Sequence, residues 1–97
     1  MTNKTKQQKI ESLAKKIQTA GDPSRLKILC CIFNTKKACV SDIALELGMS
    51  VAVTSHHLKT LAKEGLLESE RDGKKICYTL SKENVVADLR DFICKYK

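Results

Sequence analysis

The sequence predicts a mainly α fold with one small β-hairpin, and three observations carry that prediction. Apolar residues recur at helical spacing through five stretches of the chain. Asp72-Gly73 divides two short strand-like runs, Leu66–Arg71 and Lys75–Leu80. Just before them, Gly48 and Ser50 place a tight turn between a short helix and a longer one. The resulting order, α-α-α-α-β-β-α, is that of a winged helix-turn-helix. A chain of 97 residues makes a single domain, 1–97.

Residues 1–8 are polar and read as a flexible basic tail. From Lys9, Ile10, Leu13, Ala14, Ile17 and Ala20 form one apolar stripe, which Gly21 ends. Asp22 caps a second helix, with Pro23 at its first position, running to about Phe33. Leu26, Leu29, Cys30 and Phe33 share one face of it, with Ile28 and Ile32 on the flank, so this helix is central. Residues 34–37 read as a loop. Ser41 is the expected cap of a third helix, Asp42 to Leu47, with Ile43, Ala44 and Leu47 inward. Gly48 supplies the left-handed turn, and Ser50 caps a fourth helix over Val51–Lys63. Gly65 ends that helix, and the hairpin follows. Ser81 caps a last helix, about Lys82 to Tyr96, striped with Val85, Leu89, Phe92 and Tyr96. Two amphipathic helices at the chain ends exceed what one small monomer can cover, which predicts an antiparallel helical homodimer.

The formal net charge is +7 and aromatic residues are 4% of the chain, so the core is aliphatic and a polyanion partner is favoured. The charge is uneven. Residues 1–27 hold seven basic and two acidic groups, while residues 50–78 hold five basic and four acidic. On the fourth helix Thr54, Leu58, Leu61 and Ala62 point one way, and Ala52, His56, Lys59 and Lys63 the other. Short side chains let a helix enter a DNA major groove, and lysines reach phosphates. Arg71, Lys74 and Lys75 cluster at the hairpin tip. No apolar run approaches the ~20 residues of a membrane span. The odd count of five cysteines and the polar N-terminus predict free thiols in a reducing cytoplasm. No nucleophile–base–orienter set is visible, which argues against an enzyme.

Several segments together resemble the ArsR/SmtB family: Asp22-Pro-Ser-Arg-Leu-Lys-Ile-Leu29, Val40-Ser-Asp-Ile43, Ser55-His-His-Leu-Lys59, Glu64-Gly-Leu-Leu67, Asp72-Gly-Lys74 and Tyr78. The resemblance spans about residues 10–95. It implies a homodimeric winged helix repressor that binds operator DNA and releases it when a metal ion, metalloid or reactive sulfur species binds. It places Ser50, Val51, Ala52, Ser55 and His56 against the operator. Val51 departs from the polar residue common there and offers a thymine methyl contact instead of a hydrogen bond. His56 and His57 point about 100° apart on a helix, so they are poor joint ligands.

The resemblance leaves three sensing schemes to weigh. Zinc sensors of the family use Asp and His on the last helix, which here has Asp88 and Asp91 but no His. Cadmium, lead and arsenic sensors use Cys-Val-Cys-Asp-Leu in the third helix, where this chain reads Cys39-Val-Ser-Asp-Ile43, with Ser41 in place of the second thiol. The branch that responds to persulfides and oxidants resembles this chain in Cys30, late in the second helix, and Cys94, late in the last. Cys31 and Cys39 stay open as sensing residues, and Cys77 reads as structural. No cofactor is required, and a thiophilic metal or As(III) is an alternative inducer. Two further functions compete from outside this class. One is a winged helix that contacts protein; the other is a thiol metal buffer, which the lack of a Cys-x-x-Cys pair weakens.

Overall fold

The computed structural model of the chain describes residues 5–97. Helix α1 (Lys6–Ala20) opens on a reciprocal cap. The Gln8 N–H donates to Thr5 Oγ1 at 3.1 Å, and the Thr5 N–H donates to Gln8 Oε1 at 2.9 Å. This cap starts the helix at Lys6, three residues before the expected Lys9, and shortens the predicted tail; residues 1–4 lie outside the described residues. Helix α2 (Pro23–Thr35) starts as expected, with the Arg25 N–H donating to the Asp22 carboxylate at 3.1 Å. That backbone donor, helped by the Arg25 charge, holds the Asp22 pKa below its ordinary value. Arg25 Nε also donates to the Thr19 carbonyl at 2.7 Å, which fixes the α1–α2 corner.

The inward face of α2 differs from the sequence expectation. Ile28, Leu29, Cys31 and Ile32 are buried, whereas Leu26, Cys30 and Phe33 are half-buried. A helix that is apolar nearly all round gives no unique stripe, so its neighbours on several sides choose which line goes deepest.

The predicted loop at residues 34–37 shrinks to a turn at Lys36, because Asn34 and Thr35 continue α2 and Lys37 opens a strand. Lys37–Cys39 form β1, paired antiparallel with β3, and the sheet has three strands in the order β1-β3-β2 rather than two. The order of elements is therefore α-α-β-α-α-β-β-α. Three residues are too few to show alternation, and the turn into β1 uses Lys36 at φ +68°, a conformation that sequence does not announce for lysine. Helix α3 (Val40–Leu47) begins directly after Cys39, so Ser41 lies inside the helix and is not its cap.

The turn after α3 is as predicted. Gly48 sits at φ +65°, and the Met49 N–H donates to the Ala44 carbonyl at 2.9 Å. Helix α4 (Val51–Lys63) is capped by Ser50, whose Oγ accepts from the Val53 N–H at 3.1 Å. Strands β2 (Leu67–Asp72) and β3 (Lys75–Leu80) pair Asp72 with Lys75, so the two loop residues are Gly73 and Lys74, one position beyond the expected turn. Helix α5 (Asn84–Tyr96) starts later than expected, after Glu83. Ser81 caps no helix; its hydroxyl accepts weakly from the Glu83 N–H at 3.4 Å.

The core is aliphatic, as composition requires. Ile28, Leu29, Ile32, Ile43, Leu58, Leu61 and Leu66 are all 2% exposed or less. Each such side chain contributes about 1.5–3 kcal/mol through burial. Leu58 and Leu61 anchor α4 from below, so its opposite face turns outward on a fixed base. Among the described residues, no helix is long and apolar enough to cross a membrane.

Candidate nucleic-acid interface

The inward residues of α4 settle the outward ones. Thr54, Leu58 and Leu61 are buried, and Val51, Ala52, Val53, His56, Lys59 and Lys63 are exposed. Thr54 is a polar residue in the core, and its Oγ1 donates to the Ser50 carbonyl at 2.8 Å, which satisfies it and reinforces the first turn of α4. Ser50 itself is exposed and Ser55 half-buried. On the wing Arg71, Lys74 and Lys75 are all exposed.

The structure brings five of the nine predicted DNA-contact residues to one open groove of about 360 Å³. Val51, Ser55 and Lys59 form one wall, and Lys74 and Lys75 the other. Cys39, Ile76 and Tyr78 belong to the same lining. Ser50, Ala52, His56 and Arg71 lie outside that lining but on the same exposed elements. Sequence does not mark Cys39 or Ile76 as groove residues: Cys39 reaches the lining through β1, which is too short to announce itself, and the neighbours of Ile76 in the predicted strand are set by folding. Burial pushes the Tyr78 phenol pKa above its ordinary value, so the ring is a neutral wall.

Counting charges along the chain underestimates the cationic character of this face. Glu64 pairs with Lys15 of α1 at 4.0 Å. Glu70 and Asp72 pair with Lys37 of β1 at 3.7 and 3.4 Å. Three of the four acidic groups within residues 50–78 are thus matched by cations from elsewhere. Among the described residues Lys59, Lys63, Arg71, Lys74 and Lys75 form no ion pair. These surface pairs stabilise the fold little, but they change the field a polyanion meets.

His56 is exposed and His57 half-buried, with ring centroids 6.1 Å apart and planes tilted by 54°. The two do not converge on one ligand position. The His57 Nδ1 atom is buried without a hydrogen-bond partner.

The cysteines separate into three kinds. Cys39 and Cys77 are joined by a disulfide, which corrects the expectation of free thiols throughout. Cys31 is buried and donates its S–H to Glu46 Oε2 at 3.0 Å. Burial, and then the Glu46 carboxylate, push its pKa up to about 12, so it stays protonated at neutral pH. Cys30 is half-buried and Cys94 exposed, and both are free. Cys30 and Cys31 both line a cleft between α2 and α3, with Leu26, Asn34, Glu46 and Leu47, and Cys94 does not line it. Lys97, just after α5, reaches the last turn of α2, where its Nζ donates to Asn34 Oδ1 at 3.5 Å.

Residues 22–69, from the cap of α2 into β2, match the sequence model described as "Bacterial regulatory protein, arsR family". The HTH-type transcriptional regulator YgaV of Escherichia coli is 31% identical over 87 residues, which cover 87% of this chain and 88% of that protein. The chain belongs to the arsR family of bacterial regulatory proteins. The cadmium resistance transcriptional regulatory protein CadC of Listeria innocua is 45% identical over 58 residues, or 60% of this chain and 49% of CadC, so the match spans about half of that longer relative. The homodimeric winged helix-turn-helix DNA-binding domain of Mb0332 from Mycobacterium bovis superposes with a TM-score of 0.77 at 24% identity, over 97% of this chain and 87% of that one. It shares the fold, wing included. Proteins of the arsR family are regulators, not enzymes, in agreement with the residue pattern.

The metal scheme of the family finds a poor fit in this member. Of the Cys-Val-Cys-Asp-Leu positions only Cys39 is a thiol, and it is bonded to Cys77. Among the described residues no three His, Cys, Asp or Glu side chains converge as a ligand set. Zinc held by α5 lacks a histidine there.

Proposed function

We propose that this arsR-family protein is a homodimeric repressor in the cytoplasm that binds double-stranded operator DNA and releases it when its cysteine thiols react. The observation that supports DNA binding most is the shared groove. The outward face of α4 and the unpaired cations of the wing flank one concavity, with the acidic side chains drawn off by Lys15 and Lys37. Val51 and Ala52 at the start of α4 enter the major groove, Ser55 and His56 meet base edges or phosphates, and Lys59, Arg71, Lys74 and Lys75 meet phosphates.

Dimerisation uses the apolar faces left open at the chain ends. Ile10, Leu13 and Ile17 of α1 are 42–59% exposed, and Phe92 and Tyr96 of α5 are 62 and 70% exposed. Leu13, Ile17, Leu66, Leu89 and Phe92 line one apolar cleft of about 310 Å³ between the two helices. A second copy covers it, which sets two α4 helices on one side for two half-sites about one turn apart.

The inducer is a reactive sulfur species or an oxidant, sensed by Cys30 and Cys94. The exposed Cys94 thiolate attacks the terminal sulfur of a polysulfide, and a shorter polysulfide leaves. Cys30 then attacks the Cys94 sulfur and expels hydrosulfide, and the two thiol protons leave with the sulfide products. The linkage ties α2 to α5 and shifts the spacing of the two reading heads. A soft metal or As(III) is the competing inducer, favoured by the likeness to CadC and weakened by the missing ligand set.

The experiment is a titration of the reduced protein onto the DNA upstream of its own gene, repeated after treatment with polysulfide, Cd(II) or As(III). The reading requires salt-sensitive binding that polysulfide abolishes while Cys30 and Cys94 become linked by mass spectrometry. Unchanged affinity with Cys94 still a thiol rejects the sulfur arm. Loss of affinity with Cd(II) or As(III) alone transfers the role to metal.

A further inference from the structure

Cys39 and Cys77 face each other across the sheet, in register, where β1 pairs with β3. Their disulfide joins three parts of the reading head. Cys39 ends β1 and immediately precedes α3, the first helix of the helix-turn-helix. Cys77 lies in the central strand, two residues after Lys75 at the wing tip. The two sulfurs have unequal access. Cys77 is 0% exposed, whereas Cys39 is half-buried and lines the groove beside Lys59, Lys74 and Lys75.

We propose that Cys39–Cys77 is a reversible redox pair that exchanges with anionic low-molecular-weight thiols through the groove, and that bound DNA closes this route. The inference rests on the groove being the DNA face; it does not involve Cys30 or Cys94. Thiol–disulfide exchange depends on which sulfur can be approached, and here only Cys39 is reachable. A small thiolate attacks the Cys39 sulfur, the Cys39–Cys77 bond breaks, and Cys77 leaves and takes up the proton released when the small thiol ionised. A second small thiolate then attacks the outer sulfur of the mixed disulfide. This returns Cys39 as a thiol and yields the oxidised small disulfide. The protein gains two electrons and two protons, and two small thiols lose them. The reverse reaction, with a low-molecular-weight disulfide as oxidant, remakes the bond.

The walls of the groove select the reagent. Lys59, Lys74 and Lys75 concentrate anions at its mouth, so a thiol with an additional carboxylate reacts faster than a neutral thiol of equal thiolate fraction. A duplex that meets the same lysines excludes both. Oxidation state and DNA occupancy therefore compete for one opening.

The test uses the full chain oxidised with a low-molecular-weight disulfide. Peptide mapping without reductant reads the Cys39–Cys77 linkage. Its reduction by 3-mercaptopropionate and by 2-mercaptoethanol is then timed by alkylation and mass spectrometry, with and without a duplex at saturation established by fluorescence anisotropy. A linked pair is expected, with reduction slowed about tenfold or more by duplex. The carboxylate thiol should lead at low salt and lose its lead at high salt. Absence of the linkage overturns the pair. Equal rates with and without bound duplex overturn the closure by DNA. Failure of anisotropy to show any binding overturns the groove reading itself and this proposal with it, while the mapping still reports independently on the bond. In Cys77→Ser, duplex should also slow alkylation of Cys39; an unchanged rate places Cys39 away from DNA and counts against the proposal.

Discussion

Replacing Lys74 and Lys75 with alanine tests the electrostatic reading most directly. Both side chains are exposed, line the groove and form no ion pair among the described residues. A dimer loses four positive charges by this double substitution. Each phosphate contact contributes about 0.9 to the slope of log K against log salt, so the slope should fall by about 3 to 4. Between about 50 and about 200 mM salt, the loss of affinity of the variant should then be about a hundredfold smaller than that of the parent. Fluorescence anisotropy with a duplex of roughly 30 base pairs reads this across a salt series. Circular dichroism should show the fold unchanged, because neither lysine packs in the core. An unaltered slope would mean that the wing does not meet phosphates. The groove would then belong to another partner, such as a protein.

Two other outcomes follow from the same geometry. Gly48→Ala forces a side chain into the left-handed region where nothing lies within 4 Å of the new Cβ, so the cost is backbone strain alone, about 1–2 kcal/mol. Thermal melting at fixed protein concentration should fall by about 4–8 °C per kcal/mol, and Gly48→Asn should recover most of it; equal melting of the alanine variant and the parent rules out the strained turn. Cys31 holds its proton more tightly in the folded than the unfolded chain, its pKa raised from 9.0 to about 12. The stability this gives is complete below pH 9 and drains away as pH rises toward 12, a slope that Cys31→Ala should remove. At pH 8 the same thiol should be alkylated far more slowly than exposed Cys94, and equal rates would contradict its burial.

Local signals carried the architecture. Ser50, Gly48, Asp22 and Pro23 each perform a job that only a few residue types can do, and each occupies the expected position in the structure. The 3.6-residue spacing of Thr54, Leu58 and Leu61 was enough to say which side of α4 faces outward. The family resemblance rested on short segments in order, from Asp22–Leu29 through Ser55–Lys59 to Asp72–Lys74, all readable along the chain. Composition alone required an aliphatic core, since there are too few aromatic residues to build another kind.

Relations between distant segments were decided by folding. Lys37 reaches Glu70 and Asp72 only because β1 docks on β3, so a charge count along the chain misjudged the wing. Cys39 and Cys77 are 38 residues apart in the chain and opposite each other in the sheet, a pairing that no periodicity encodes. Cys30 and Cys31 are neighbours in sequence and line the same cleft, yet Cys30 is half-buried while Cys31 is buried and hydrogen-bonded to Glu46. A helix that is apolar nearly all round leaves that choice to the surfaces packed around it, and those surfaces exist only once the chain has closed on itself.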